Sequence, residues 1–262
     1  MRYGVCVGFD QFDRIRLAKE YGYDYIECGF QNFARGSDES YEAFKNVLNE
    51  CNIKCESTNC FMPGDLPVTG ENVNYDAIAE FVDKGMKRGS ECGLKTVVFG
   101  SGGARRVPEG FPFEKAVKQL AFFLGEVVSP IAEKYGITVV TEPLRHKETN
   151  IVNTVSEGVM LAAMVGKDNV KTLADIYHMD EEGDTYDDIR KLKGSILHAH
   201  ISWPVTQGES KRVYMTDVNQ YDYKGFVDAL EYAGCERCSI EAACNDFEKE
   251  AKIAMGVINE LK

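Results

Sequence analysis

Short apolar, β-branched runs alternate with longer amphipathic segments from one end of the chain to the other. The longer segments have helical periodicity, and 75–91, 113–135 and 247–261 show it most clearly. The short runs have the length and composition of buried strands. There are eight of them, at residues 3–7, 25–28, 53–57, 96–99, 138–141, 170–174, 196–199 and 238–240.

This alternation of strands and helices predicts a parallel sheet. Glycine follows several predicted helices, as at Gly22, Gly93, Gly136 and Gly234, where a left-handed backbone ends the helix. Eight strand–helix units in 262 residues favour closure into a (β/α)₈ barrel, the α/β TIM barrel, over an open doubly wound sheet. No linker-like stretch interrupts the chain, so we predict a single domain over residues 1–262.

Three long stretches without periodicity, 59–74, 100–111 and 202–221, each follow a predicted strand. In barrel enzymes the loops after the strands form the active site. Loops of this length are usually lids or binding loops. We therefore expect the functional site at the carboxyl ends of the strands.

A residue that can bind a metal follows each of the last four predicted strands. These residues are Glu142, Asp175, His200 and Glu241. The strand ends of a barrel converge on one mouth. Three carboxylates can share so small a space only if a cation offsets their repulsion. The sequence therefore predicts a metal site.

Oxygen-rich ligands with one imidazole suit a single divalent ion, for which we expect Mn²⁺, with Mg²⁺, Co²⁺ or Zn²⁺ as alternatives. His198 lies on the same side of its strand as His200, because side chains alternate along a strand. We expect His200 to be the ligand and His198 to lie deeper in the barrel. Glu27, in the second predicted strand, is not assigned a role.

The net charge and the cysteine content limit the kinds of partner and the cellular compartment that we expect for the protein. The net charge of -12 argues against a nucleic-acid partner. No apolar run is long enough to span a bilayer, and no signal peptide is evident. Nine cysteines, an odd number, fit reduced thiols, so we expect a cytoplasmic protein. We interpret the C-x-x-C pair, Cys235 and Cys238, as buried hydrophobes rather than a zinc or redox site.

Several segments resemble a known family. They are T-E-P-L at 141–144, E-T-N at 148–150, D-I-Y-H-M at 175–179, H-I at 200–201, I-E at 240–241 and N-C-F-M-P-G at 59–64. Together they resemble the xylose-isomerase-like barrel superfamily, and within it the D-tagatose and D-allulose 3-epimerase group. The likeness spans most of the chain, and the E-P-L…E-T-N and D-x-x-H-M segments are its more specific parts.

The resemblance implies one metal ion on the four strand-end residues. It also implies that two of them, Glu142 and Glu241, act as catalytic acid and base. By the same resemblance, His178, Glu148 and Arg212 contact the substrate. Two departures concern the substrate: R-H-K stands at 145–147, where that group carries Asn-Arg-aromatic, and the loop 203–211 is longer.

We therefore expect a metal-dependent isomerase or epimerase of a small carbohydrate, acting as a ketose 3-epimerase through an enediolate, and assembled as a homo-oligomer (dimer or tetramer). One alternative is a keto-sugar lyase or dehydratase, of the inosose dehydratase or C-glycoside-cleaving type. Another is a non-catalytic barrel that partners a different subunit. Apurinic endonucleases share the superfamily, but they need more histidine ligands and a basic face.

Two loops leave alternatives open. Arg105 and Arg106, in a glycine-rich stretch, either contact a phosphorylated sugar or belong to an ordinary turn. Phe61 and Trp203 either cover a sugar face or pack their own loops.

Overall fold

The computed structural model of the chain describes residues 1–205 and 211–262. Within them the strands are β1 (Arg2–Cys6), β2 (Tyr25–Gly29), β3 (Cys55–Asn59), β4 (Thr96–Phe99), β5 (Thr138–Thr141), β6 (Val170–Asp175), β7 (Ile196–Ile201), β8 (Trp203–Val205), β9 (Lys211–Val213) and β10 (Arg237–Ile240). β1 to β7 and β10 form a closed parallel barrel, in which β10 pairs with both β7 and β1. The predicted TIM barrel is confirmed, and the open sheet is excluded.

Helices surround the barrel. They are α1 (Phe12–Tyr21), α2 (Phe30–Arg35), α3 (Asp38–Cys51), α4 (Tyr75–Glu91), α5 (Gly102–Arg105), α6 (Phe113–Phe122), α7 (Ser129–Tyr135), α8 (Val155–Val165), α9 (Ile176–Glu182), α10 (Tyr186–Lys191), α11 (Tyr223–Ala233) and α12 (Phe247–Leu261). The helix predicted over 113–135 is continuous from α6 to α7 through a π-helical turn at Phe123–Val128. None of the helices in the described residues combines the length and hydrophobicity needed to cross a bilayer.

Several strand boundaries differ from the sequence prediction by one or two residues, and those of β3 and β7 matter most here. β3 begins at Cys55 rather than at residue 53, because Asn52 ends α3 in a left-handed conformation. The amide of Ile53 then bonds back to Leu48 O, which keeps it in the helix cap. β7 extends to Ile201, so His200 lies inside the strand and not after it.

The stretch 202–221 is not wholly irregular. β8 and β9 pair antiparallel, with Trp203 opposite Val213 and Pro204 opposite Arg212. Proline is tolerated here because β8 pairs only with β9 among the described strands, whereas β9 also bridges to Ala243. The hairpin follows the carboxyl end of β7, and it carries Arg212 to the mouth of the barrel.

The nine cysteines are all free thiols. Cys235 and Cys238 are buried, and the Cys235 thiol donates to Arg237 O at 3.3 Å. Burial raises the pKa of Cys235 to about 12, so the thiol stays neutral. These features agree with the interpretation of the pair as buried hydrophobes.

The packing of α4 against α2 depends on a glycine. A Cβ at Gly85 would overlap the fully buried ring of Phe30, whereas a Cβ at Gly256 in α12 would meet no atom within 4 Å. We predict that Gly85→Ala lowers the free energy of unfolding by about 1–3 kcal/mol through overpacking. The control Gly256→Ala should raise it by up to about 1 kcal/mol through helix propensity. Urea unfolding measures both changes, and equal shifts would contradict this account of the interface.

Candidate metal centre

Four side chains from consecutive strand ends meet at the mouth of the barrel. Each offers one ligand atom, and these atoms all lie within 4.8 Å of one another: Glu142 after β5, Asp175 at the end of β6, His200 in β7 and Glu241 after β10. The first three are buried, and the side chain of Glu241 is 16% exposed. The arrangement arises because parallel strands deliver their carboxyl ends to one face.

The imidazole of His200 directs one nitrogen at all three carboxylates. Its Nδ1 lies 3.0 Å from Glu142 Oε1, 2.8 Å from Glu241 Oε2 and 3.8 Å from Asp175 Oδ2. Three carboxylates and one ring nitrogen around a common point form a donor set that could hold a divalent cation. The residues present therefore fit a metal ion.

Glu27 supports His200 from inside the barrel. Its Oε1 lies 2.9 Å from His200 Nε2, and its Oε2 lies 2.9 Å from His198 Nε2. The hydroxyl of Ser239 donates to the same Oε2 at 2.6 Å. Burial alone raises the pKa of Glu27, but the two imidazoles lower it well below its usual range. An ionised Glu27 accepts a hydrogen bond from the protonated Nε2 of His200. This contact leaves Nδ1 of His200 facing the three carboxylates.

The electrostatics of the centre favour positive charge. Burial alone lowers the pKa of His200, but Glu241, Glu27 and Glu142 raise it well above its usual range. Burial alone raises the pKa of Glu241, but His200 and Arg212 lower it to about 2. A proton on His200 Nδ1 therefore occupies the place that a metal ion would take, and the two compete for it.

Arg212, from the hairpin, lies within this centre. Its Nη1 is 2.7 Å from Asp175 Oδ2 and 2.8 Å from Glu241 Oε2. The neighbouring residues 206–210 lie outside the described residues, and with them part of the segment through which Arg212 matches the epimerase group. The structure brings Arg212 together with the four strand-end residues.

The other two residues expected to contact substrate lie at different depths. His178 is buried, and its Nε2 lies 3.7 Å from Asp175 Oδ2 with no hydrogen-bond partner among the described residues. Glu148 is further out and lines the cavity above the centre. Its Oε1 accepts from Arg145 Nε at 2.7 Å. Arg145 belongs to the R-H-K segment at 145–147, so this departure from the epimerase group gives Glu148 an arginine partner.

The cavity above the centre has a volume of about 260 Å³. Glu142, Glu241 and Arg212 lie at its base, and Asn59 and Glu148 are among its walls. Asn59 Nδ2 donates to Glu241 Oε1 at 3.3 Å. This contact was not predicted, although Asn59 lies in a segment that carries the family resemblance.

Gly100 and Arg105 support Glu142 from the backbone side. A Cβ at Gly100 would overlap Glu142 Oε2, so only glycine leaves room for this carboxylate. Arg105 is fully buried, and its guanidinium donates to the carbonyls of Phe99, Glu142 and Val152. Arg105 therefore joins the ends of β4 and β5 and does not face a substrate. Both roles considered for Arg105, a phosphate contact and an exposed arginine of an ordinary turn, are wrong.

The remaining loop candidates are structural or peripheral. Phe61 is fully buried against Phe30, Phe99 and Phe123, so it packs its own loop. Arg106 Nη2 donates to Glu148 O on the surface. Trp203 lies in β8.

Comparison with known proteins agrees with this architecture. The family model described as "Xylose isomerase-like TIM barrel" matches residues 15–261. The chain is 36% identical over 86 residues to a D-psicose 3-epimerase of Agrobacterium fabrum, covering 32% of this chain and 28% of that protein. It is 32% identical over 108 residues to an L-ribulose 3-epimerase of Mesorhizobium japonicum, covering 41% and 34% respectively.

Each alignment therefore spans about a third of the curated relative. A crystal structure of a D-psicose 3-epimerase in the presence of D-fructose superposes with a TM-score of 0.79 at 16% identity, over 100% of this chain and 99% of the other. At this identity the match shows a shared fold. The family model covers nearly the whole sequence, and on that ground the chain belongs to the xylose isomerase-like TIM barrel family.

Proposed function

We propose that the protein is a metal-dependent epimerase of a small carbohydrate and that its reaction is 3-epimerisation of a ketose. The observation that carries the proposal is the meeting of Glu142 and Glu241 at one centre from separate strands of the barrel. Their strands, β5 and β10, lie three positions apart around the eight-stranded ring. Two relatives of the chain are named ketose 3-epimerases, which supports the choice of reaction.

One divalent ion on Glu142, Asp175, His200 and Glu241 is part of this proposal, with Mn²⁺ preferred and Mg²⁺, Co²⁺ or Zn²⁺ as alternatives. Such an ion supplies Lewis acidity, which stabilises negative charge on the enolised substrate. The donor set supports this assignment, because three carboxylates without a cation repel one another.

Glu142 and Glu241 act as acid and base in this scheme. One carboxylate removes the proton from carbon 3, which carries a hydroxyl and is bonded to the carbonyl carbon. The other carboxylate returns a proton to the opposite face of that carbon. The two exchange roles in the reverse reaction. An aldose–ketose isomerase needs only one such group, so a requirement for both glutamates distinguishes epimerisation from isomerisation.

Three further residues orient the substrate. His178 Nε2, which lacks a partner among the described residues, donates to a substrate oxygen. Arg212 donates to an oxygen beside the carboxylates, and Glu148 accepts from a hydroxyl at the cavity wall. These roles follow from position: Glu148 and Arg212 line the cavity, and His178 lies beside Asp175.

We also propose that the protein forms a homo-oligomer through α6 and α8. Phe113, Met160 and Met164 are each more than half exposed and line one groove. The only charged residue of α8 is Glu157, which caps its own helix. A mainly apolar groove suits a second copy, because copies of a chain with net charge -12 repel one another elsewhere.

The double substitution Met160→Lys and Met164→Lys should dissociate this oligomer. Four like charges, two from each copy, would then face one another across a two-fold interface. Sedimentation velocity measures the change. The control places lysine at Tyr232, which is also exposed but lies on α11. An oligomer that survives the double substitution, or a monomeric parent protein, would place the interface elsewhere or remove it.

Enolisation is tested by deuterium uptake from heavy water into a panel of free ketoses, with manganese-loaded protein and a chelated control. We expect uptake at carbon 3, appearance of the epimer, and loss of both on chelation. Uptake with loss of a substituent, and no epimer, would identify the lyase alternative. No uptake from any free ketose, in a protein that holds metal, would point instead to a phosphorylated substrate, to the lyase alternative or to the non-catalytic barrel.

Both glutamates should be required for epimerisation. At saturating metal, Glu142→Gln and Glu241→Gln should each lower the rate by about 10²–10⁴-fold, because each removes one proton-transfer group. Glu56→Gln is the matched control, since Glu56 pairs with Arg2 and Arg237 on β1 and β10, away from the centre. Epimerisation that persists in either site variant would disprove the two-base scheme.

Glu27→Gln should weaken metal binding without replacing any ligand. The amide cannot accept from both histidines and Ser239 as the carboxylate does, so His200 loses its fixed orientation. We predict a Kd for Mn²⁺ raised by about 10–100-fold, measured by calorimetry. Glu56→Gln again serves as control. An unchanged Kd in folded Glu27→Gln would show that His200 is held by other contacts.

A further inference from the structure

We infer that the substrate carries an anionic terminal group, a carboxylate or a phosphate, and that this group binds Arg14. The inference rests on the proposed function, since it assumes that the reacting end of the substrate lies at the metal centre. It adds a second subsite and a class of substrate, namely a sugar acid or a sugar phosphate.

The subsite is a second cavity that meets the first at the centre. It has a volume of about 390 Å³ and shares Arg212 and Glu241 with the 260 Å³ cavity. Its other walls come from the loop after β1, from α1 and from the loop after β10: Val7, Gly8, Gln11, Arg14, Ala242 and Ala243. A substrate confined to the first cavity would leave this larger space to solvent.

Arg14 is the uncommitted cation of this cavity. Its side chain is partly buried, and its guanidinium makes no ion pair or hydrogen bond within residues 1–205 and 211–262. The guanidinium carbon lies 5.1 Å from the centroid of the Phe247 ring, which contacts the face of the group and not its N–H donors. The guanidinium donors are therefore available to a ligand that enters the cavity.

The other arginines near the centre are already committed. Arg212 bonds to Asp175 and Glu241. Around the first cavity, Arg106 donates to a backbone carbonyl and Arg145 bonds to Glu148. Hydroxyl groups suit that cavity, whereas among residues 1–205 and 211–262 the arginine available to an anion beside the centre is Arg14.

Charge balance leads to the same assignment. A divalent ion and Arg212 together match the three carboxylates of the centre, and the ionised Glu27 below His200 adds a negative charge, so the loaded centre does not attract an anion. Arg14 is then the unbalanced charge beside it. On a chain of net charge -12, a free arginine in a cavity wall is suited to an anion that must approach against the overall field.

A ketose bound by its carbonyl end has one direction left for its tail. With carbon 1 towards Glu148, the chain beyond carbon 3 extends past Glu241 into the second cavity. A carboxylate accepts two parallel hydrogen bonds from one guanidinium, and a phosphate can do the same. A sugar acid and a sugar phosphate therefore bind Arg14 through the same hydrogen bonds, and comparing the two compounds distinguishes them.

Binding is measured first, because it does not require turnover. Calorimetry on the metal-loaded protein would compare D-glucitol, D-gluconate and D-glucitol 6-phosphate. We expect one anionic compound to bind about 10–100-fold more tightly than the neutral one, the range of a charged hydrogen bond. Tighter gluconate indicates a sugar acid, and tighter glucitol phosphate indicates a sugar phosphate.

Arg14→Met should abolish that preference, and Arg14→Lys should restore part of it, because lysine keeps the charge but not the paired donors. Arg16→Met is the matched control on the same helix, since Arg16 pairs with Asp13 and Glu50 on the outer surface. Equal binding of all three compounds, or a preference that survives Arg14→Met, would overturn the inference.

Failure here is distinguishable from failure of the proposed function. If neutral ketoses exchange deuterium but no anionic preference depends on Arg14, the epimerase proposal stands and the subsite is wrong. If anions bind through Arg14 but no compound exchanges, the subsite stands and the reaction is wrong.

Discussion

Repulsion among three converging carboxylates is the constraint on which the site depends. Glu142, Asp175 and Glu241 lie where water cannot screen them well, so positive charge must be supplied within a few ångströms. His200 provides it from the barrel wall and Arg212 from the hairpin above. The two come from opposite sides, which leaves the carboxylates directed at a common point.

The rest of the molecule holds these charges in register. Glu27 anchors the far edge of His200, and Ser239 and His198 in turn satisfy Glu27. Without such partners a carboxylate in the barrel interior would be too costly to keep ionised. On the outer side, Arg105 bonds to the carbonyl of Glu142 and so joins its backbone to the end of β4. The site is therefore supported from below and from the side.

The sequence was sufficient to predict the barrel and the meeting of four strand-end side chains, because strand periodicity and parallel topology determine both. It was not sufficient for contacts that depend on distant segments. The β8–β9 hairpin forms only when its two arms pair over the mouth, and Arg105 is buried only because three carbonyls converge on it. The sequence did indicate that Glu27 is paired, since a charged residue within an apolar strand needs a partner. It does not identify the partner residues.

Where the chain departs from the epimerase group, it departs around the centre and not within it. Arg145, which belongs to one of the two departures, binds Glu148 at the wall of one cavity. Arg14 lies at the wall of the other cavity. The ligand set constrains only the few atoms that react, whereas the walls contact the remainder of the substrate. A change of substrate can therefore accumulate in loops and in α1 while the charge balance of the centre is preserved. In the proposed scheme, substrate identity is a property of the two cavities, and reaction type is a property of the point where they meet.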